Sequence, residues 1–331
     1  AITGDGLYDI RDVDVSQDGK RIVFAMRGPL DEDQDEIDPP YWEIWEYQIE
    51  AGVQDGNPRR VIPSDATAAD GNDIGPQYLP DGRILFSSTR QRQSQAILRD
   101  EGKPGFEAQN EVGRNEPAFV LHVMNADGTD LHQVSFNQSH DLDPTVLADG
   151  RLMWSRWDGL SNRGIHLYTA NPDGTDVQLL YGARSHATGT NGSNVQFVRA
   201  REMQDGRILA LVRPMTGTDF GGDLVIIDTA NYVENTQPVL ASAGLQGPAQ
   251  QRATPNDVRT IEGPSPGGRF NSAYPLWDGT GRILVTWSQC RLLEGAIIVP
   301  CTDDRLAGAP VTAEPLYSAF LFDPAQNTLR P

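Results

Sequence analysis

Cysteine, basic side chains and long apolar runs are all scarce in this chain of 331 residues. Cys290 and Cys301 are its two cysteines. In an exported protein they would pair and close a loop worth about 2–3 kcal/mol; in the cytosol they would stay two inert thiols. The loop-rich stretch around them favours the disulfide. Lysine and arginine number 27 against 46 acidic residues, a formal net charge of −19. Phosphates need clustered cations, so nucleic acid is not an expected partner, and an anionic membrane surface is disfavoured for the same reason. No run of about 18 apolar residues occurs, which excludes a spanning helix and membrane insertion through one. The G-x-S-x-G elbow, H-E-x-x-H and the G-x-x-x-x-G-K phosphate loop are also missing, which leaves hydrolytic chemistry little support.

The chain opens on Ala1 without an initiator methionine or signal peptide and reads as a processed or excised piece. The acidic composition, 5 methionines and a single cysteine pair suit a periplasmic or extracellular setting. Hydrophobic residues make up 38%, lean but sufficient for a packed core at this length. Glycine and proline, 33 and 23 residues, break helices and feed turns.

What the chain has instead is a repeat. An apolar strand, a tight turn ending in glycine and a second apolar strand recur five times. The copies are Asp12–Gly19 with Arg21–Arg27, Pro76–Gly82 with Arg83–Arg90, Asp143–Gly150 with Arg151–Arg156, Arg199–Gly206 with Arg207–Arg213, and Tyr274–Gly281 with Arg282–Trp287. Asp-Gly between alternating apolar runs is a strong hairpin signal, because glycine takes the positive φ such turns need. A third strand and a short fourth follow each copy, plainest in Phe119–Met124 with Leu131–Val134 and Ile165–Tyr168 with Val177–Leu180. Four antiparallel strands, repeated, predict an all-β fold, a β-propeller with blades over about 9–70, 71–138, 139–190, 191–245 and 264–331. Five blades are visible in this single domain, and a six- or seven-bladed ring is the expected whole.

The string Pro76-Gln-Tyr-Leu-Pro-Asp-Gly-Arg-Ile-Leu-Phe-Ser-Ser88, with Asn125-Ala-Asp-Gly-Thr-Asp130 and Asn171-Pro-Asp-Gly-Thr-Asp176, resembles the TolB-type (PD40, WD40-like) propeller repeat. The stretches Ser135–Pro144, Ser155–Asp158 and Ser185–Asn191 resemble the propeller domain of hydrazine synthase alpha subunits and related bacterial proteins. That resemblance implies a periplasmic protein associated with c-type haem chemistry, with a c-type cytochrome or haem-bearing domain as partner. In the family, haems sit on domains flanking the propeller. Here no C-x-x-C-H occurs, so this chain carries no covalent haem. The family's propeller also supplies a tyrosine to a haem and ligands to a zinc. No tyrosine here matches, and His186 is the counterpart offered for a metal ligand.

Blade geometry locates the expected site. The start of a first strand and the end of a second share one rim, where Asp12, Arg27, Arg90, Arg156, Arg213 and Tyr274 would gather at a channel mouth. Arginine forks there would bind a small anion, or would clasp a neighbouring blade's aspartate, such as Asp12 or Asp143. His140, Asp141 and Asp143, with His186, present a donor set suited to zinc or another divalent metal; capping of the blade junctions is the alternative. The acidic run Asp31–Asp38 suits calcium or a solvated loop. His122, His132 and His166 fall within strands and read as surface or packing residues. Three functions remain open: a scaffold in a redox assembly, an enzyme with a metal or anion site at the mouth, and a TolB-like peptide-binding module.

Overall fold

The computed structural model describes residues 8–29, 39–49, 58–109, 115–158, 164–218, 221–308 and 310–331. The acidic run Asp31–Asp38 lies outside them. The described residues form five four-stranded antiparallel sheets. The first comprises Asp9–Val15, Arg21–Arg27, Glu43–Gln48 and Arg59–Arg60, and the second Asp73–Tyr78, Ile84–Ser88, Val120–Met124 and His132–Gln133. The third comprises Asp141–Val146, Leu152–Asp158, Gly164–Ala170 and Gln178–Tyr181. Gln196–Glu202, Ile208–Arg213, Asp223–Ile227 and Gln250–Arg252 make the fourth; Arg269–Pro275, Ile283–Ser288, Ser318–Asp323 and Thr328–Arg330 make the fifth. In every sheet the strands follow one another in chain order. No helix among the described residues is long and apolar enough to cross a membrane.

The chain divides into two compact units, residues 1–159 with 169–177 and residues 160–168 with 178–331. In the first unit, the first strand of the second sheet packs on the first three strands of the first sheet. The third sheet's first strand packs in turn on the second sheet. The second sheet is thus covered on both faces, which is why Ile84–Ser88 is buried at every position rather than at alternate ones. Val23, Ala25 and Ile44 meet Tyr78, Ile84, Phe86 and Met124 in that unit's core. In the second unit, the fifth sheet's first strand packs on the first three strands of the fourth.

The repeated turns have the expected geometry. Gly82, at φ 87°, donates its amide to Leu79 O at 2.9 Å, and Leu79 N donates to Arg83 O at 2.8 Å. Glycine in the left-handed region after a tight turn lets the second strand start in register.

A second repeated feature lies seven residues before each marker glycine. The register of the first strand slips there in the first four sheets, between Arg11 and Asp14, Ile74 and Gln77, Leu142 and Thr145, and Val198 and Arg201. Asp12, Gly75, Asp143 and Arg199 sit at these bulges with φ of 55°, 65°, 50° and 50°. The bulges bear on the links between sheets. Gly75 N donates to Asp12 Oδ2 at 3.1 Å, and Tyr78 N to Asp14 Oδ2 at 2.9 Å. In the second unit, Arg199 Nη1 donates to Asn271 O at 2.8 Å. The fifth sheet also slips, between Phe270 and Ser272, but no residue there has positive φ.

Insertions split the repeat in the last two sheets, and one boundary differs from expectation. A hairpin of Tyr232–Glu234 and Gln237–Pro238 precedes the fourth sheet's last strand, which moves to Gln250–Arg252, past residue 245. In the fifth sheet, a three-stranded insertion of Arg291–Glu294, Ile297–Pro300 and Val311–Thr312 separates the second and third strands. Cys290 and Cys301 form a disulfide at the base of its hairpin, with Cα atoms 5.5 Å apart.

The Gly75 bulge generates a test. A Cβ built there keeps the left-handed φ and meets Pro144 Cδ at 3.0 Å. Gly75→Ala is expected to lose about 1–2 kcal/mol, the usual left-handed penalty for an L side chain, as a lower midpoint in urea unfolding.

Candidate functional site

Each expected rim arginine of the first three sheets lies against an aspartate of its own sheet. Arg27 donates through Nε and Nη2 to Asp9 Oδ2 at 2.8 and 2.6 Å. Arg90 forks onto Asp73, and both side chains are almost wholly buried. Arg156 forks onto Asp141, with Nε to Oδ1 at 2.7 Å and Nη2 to Oδ2 at 2.8 Å. The cause is register: Asp9 stands directly opposite Arg27, and Asp141 opposite Arg156. In the fourth sheet Arg213 stands opposite Gln196, and the aspartate–arginine pair moves outward to Asp223 and Arg252, 2.8 Å apart. Burial pushes the Asp73 and Asp223 carboxyls up to about 6, with Arg90 and Arg252 opposing the shift. Each of these clasps is therefore made within a sheet. Asp12 accepts from Arg11 and from the Gly75 amide instead. Tyr274 is exposed on the fifth sheet, opposite Leu284.

The richest cluster is the corner where the third sheet begins. Asp141, fully buried, also accepts from Ser135 Oγ at 2.6 Å and Asn137 Nδ2 at 3.2 Å. His140 is buried beside it, its ring lying between Phe119 and Trp157 at centroid distances of 5.8 and 5.6 Å. The Phe119 amide donates to His140 Nδ1 at 3.2 Å, so the neutral ring carries its proton on Nε2. That Nε2 lies 3.1 Å from Glu116 Oε1, outside hydrogen-bond geometry. The corner thus holds a fixed imidazole N–H beside a half-exposed carboxylate. That arrangement can orient a hydrogen-bonding group or relay a proton toward Glu116.

The second unit has a different histidine arrangement. His186 Nδ1 donates to Val195 O at 2.5 Å, which leaves Nε2 to accept from His166 Nδ1 at 2.8 Å. Burial pulls the His186 pKa down. In the first unit His122 donates from Nδ1 to Val120 O and accepts the Arg92 amide on Nε2 at 3.2 Å, capping the helix Arg92–Asp100. Burial lowers its pKa to about 3.

His140, Asp141 and Asp143 belong to one unit and His186 to the other. Among the described residues no group of three or more His, Cys, Asp or Glu is disposed to hold a metal ion. The donors are committed elsewhere: Asp141 to Arg156, His140 Nδ1 to a backbone amide and His186 to His166. Glu116, Trp157 and His166 are the members that sequence reasoning missed. The first belongs to a long insertion with no repeat counterpart, Trp157 reads simply as the end of a strand, and His166 reads as strand packing.

The sequence matches no family model and no curated relative. Solved structures do match. Kuenenia stuttgartiensis hydrazine synthase aligns at a TM-score of 0.58 and 16% identity, over 97% of this chain and 38% of that one. The fold is a β-propeller. A Mycobacterium tuberculosis puromycin-hydrolyzing peptidase aligns at 0.48 and 12%, over 98% of this chain and 37% of that one. A luciferin-regenerating enzyme aligns at 0.44 and 10%, over 86% and 71%. This propeller spans 38% of the hydrazine synthase chain that it matches, and at such identities the likeness speaks for the fold alone.

Two measurements probe the site. Asp141→Ala leaves the Arg156 guanidinium without its counter-charge and is expected to cost about 3–5 kcal/mol, as a lowered unfolding midpoint. The histidines set a pH dependence. His186 has a lower pKa folded than unfolded, so the unfolded chain binds the proton first and stability falls as pH drops below the unfolded value of about 6.5. The loss of melting temperature between about pH 7 and pH 5 should be smaller in His186→Gln than in the unsubstituted protein.

Proposed function

We propose that this chain is a propeller scaffold that docks a haem-bearing partner, a c-type cytochrome or cytochrome-like domain, in a periplasmic or extracellular redox assembly. One observation carries the reading. Of the side chains expected at a charged mouth, Arg27, Arg90 and Arg156 are each neutralised by an aspartate of the same sheet. What is left for partners is an acidic body of net charge −19 with long insertions. Loops of that length are a usual place for contact.

Three features support the finer parts. The lack of C-x-x-C-H puts any covalent haem on another polypeptide or domain. The Cys290–Cys301 disulfide fits an oxidising compartment. The likeness to hydrazine synthase over 97% of this chain accords with the resemblance of Ser135–Pro144 to that family's propeller. The TolB-type character rests on Pro76–Ser88 and the two Asn-x-Asp-Gly-Thr-Asp strings alone. A second reading, an enzyme centred on the third sheet's corner, is favoured by the buried His140 Nε2 beside Glu116.

Sedimentation velocity with a basic c-type cytochrome tests the scaffold. A complex should form at about 0.01 M salt and weaken at about 0.15 M, as the screening length falls from about 30 to about 8 Å. A basic protein without haem, matched in size and charge, should bind more weakly. No complex at low salt, or equal binding of the control, overturns the reading.

A further inference from the structure

Two buried N–H groups at the third sheet's corner, His140 Nε2 and Trp157 Nε1, make no hydrogen bond among the described residues. They belong to one stack, with ring centroids 5.6 Å apart and planes inclined by 29°. A buried donor without an acceptor is costly, so each such group calls for an explanation. At His140 the backbone places the proton: the Phe119 amide donates to Nδ1, which leaves Nε2 as the donor of the ring. The residue is held firmly. Phe119 and Trp157 flank its ring, and its carbonyl accepts the Trp157 amide at 2.8 Å and Asn137 Nδ2 at 3.2 Å. The carboxylate beside it has more room. The Glu116 side chain is 39% exposed, and its Oε1 stands 3.1 Å from Nε2 without accepting from it.

A fixed imidazole N–H beside a carboxylate is the pair needed to take a proton from the carbon next to a carbonyl. The N–H stabilises the charge that develops on the carbonyl oxygen, and the carboxylate receives the proton. We propose that this corner catalyses proton abstraction α to the carbonyl of a small uncharged ketone or aldehyde. The proposal rests on the second reading above, an enzyme centred on this corner, and names its substrate class. Glu116 swings aside to admit the carbonyl oxygen to His140 Nε2, and its carboxylate then faces the α-carbon. The α C–H bond breaks and its proton passes to Glu116. The electron pair of that bond forms the C=C bond of an enolate whose oxygen accepts from Nε2. Return of a proton to the same carbon gives exchange with solvent; return to the neighbouring carbon of a hydroxyketone gives its isomer. Proton transfer alone balances the step. Charge selects the substrate. Arg156, the guanidinium of this corner, is bonded to Asp141 through Nε and Nη2, while Glu116 and the net charge of −19 repel anions. An uncharged carbonyl compound fits, and a keto acid does not.

Hydroxyacetone and dihydroxyacetone in heavy water are the probes, followed by proton NMR. The protein should speed the loss of their carbon-bound hydrogens above the rate in buffer. Glu116→Gln changes a half-exposed side chain and should slow the catalysed exchange by about 100-fold or more, the lower end of what a positioned base supplies. His140→Phe keeps a ring in the stack, removes the donor and should lose exchange to a similar extent; circular dichroism checks that both variants fold. His132→Gln, at a partly exposed histidine away from the corner, should exchange at the unsubstituted rate. Ring-nitrogen NMR at about pH 8 reports the tautomer separately, with the proton expected on His140 Nε2 and none on Nδ1. A proton on Nδ1 overturns the enzyme reading of this corner together with the proposal. The expected tautomer with no exchange of either probe overturns the substrate class and leaves the geometry of the corner standing. Exchange that persists in Glu116→Gln overturns the proposal as well.

Discussion

The seating of the first strands of the second, third and fifth sheets on the sheet before is the constraint from which the rest of this molecule follows. In the second sheet a bulge serves the contact, because a regular strand would keep its amides within its own ladder. The left-handed residue turns the chain locally, so that Gly75 and Tyr78 offer their amides to Asp12 and Asp14 of the sheet before. Left-handed backbone is unfavourable for an L side chain, by about 1–2 kcal/mol. The rest of the packing must offset that at Asp12, Asp143 and Arg199, whereas Gly75 has no side chain to strain. A bulge recurring at one repeat position in four sheets marks a device of the fold, not a local accident.

The aspartate–arginine forks follow from the same arrangement. The first two strands of a sheet open at their far end, where ladder hydrogen bonds stop, and a carboxylate opposite a guanidinium closes them. In the first sheet Asp9 is half-exposed and the pair is worth little. In the second, Asp73 and Arg90 are both buried, so the pair is costly to break even where its net contribution is small.

The buried histidines share a logic of their own. His122, His140 and His186 each use one ring nitrogen on a backbone amide or carbonyl, which fixes the tautomer. His122 and His186 have their second nitrogen engaged as well, by the Arg92 amide and by His166. His140 keeps its second nitrogen without a hydrogen bond, 3.1 Å from the half-exposed Glu116. That difference singles out the third sheet's corner from the other histidine sites.

The alternation of apolar residues and the Asp-Gly turns determined the strands, their antiparallel order and the fold class, because those signals act within a few residues of the chain. The cysteine pair was legible for the same reason: only two such side chains exist, and both fall in one loop-rich stretch. Partner choice was decided by the tertiary structure. Arg156 and Asp141 lie 15 residues apart and Arg199 and Asn271 lie 72 apart, separations over which no local pattern says which aspartate an arginine will meet. The bulge was visible only as a recurring position, at which Asp12, Gly75, Asp143 and Arg199 share no side-chain chemistry. What they share is a backbone angle in the left-handed region, which no side-chain pattern announces.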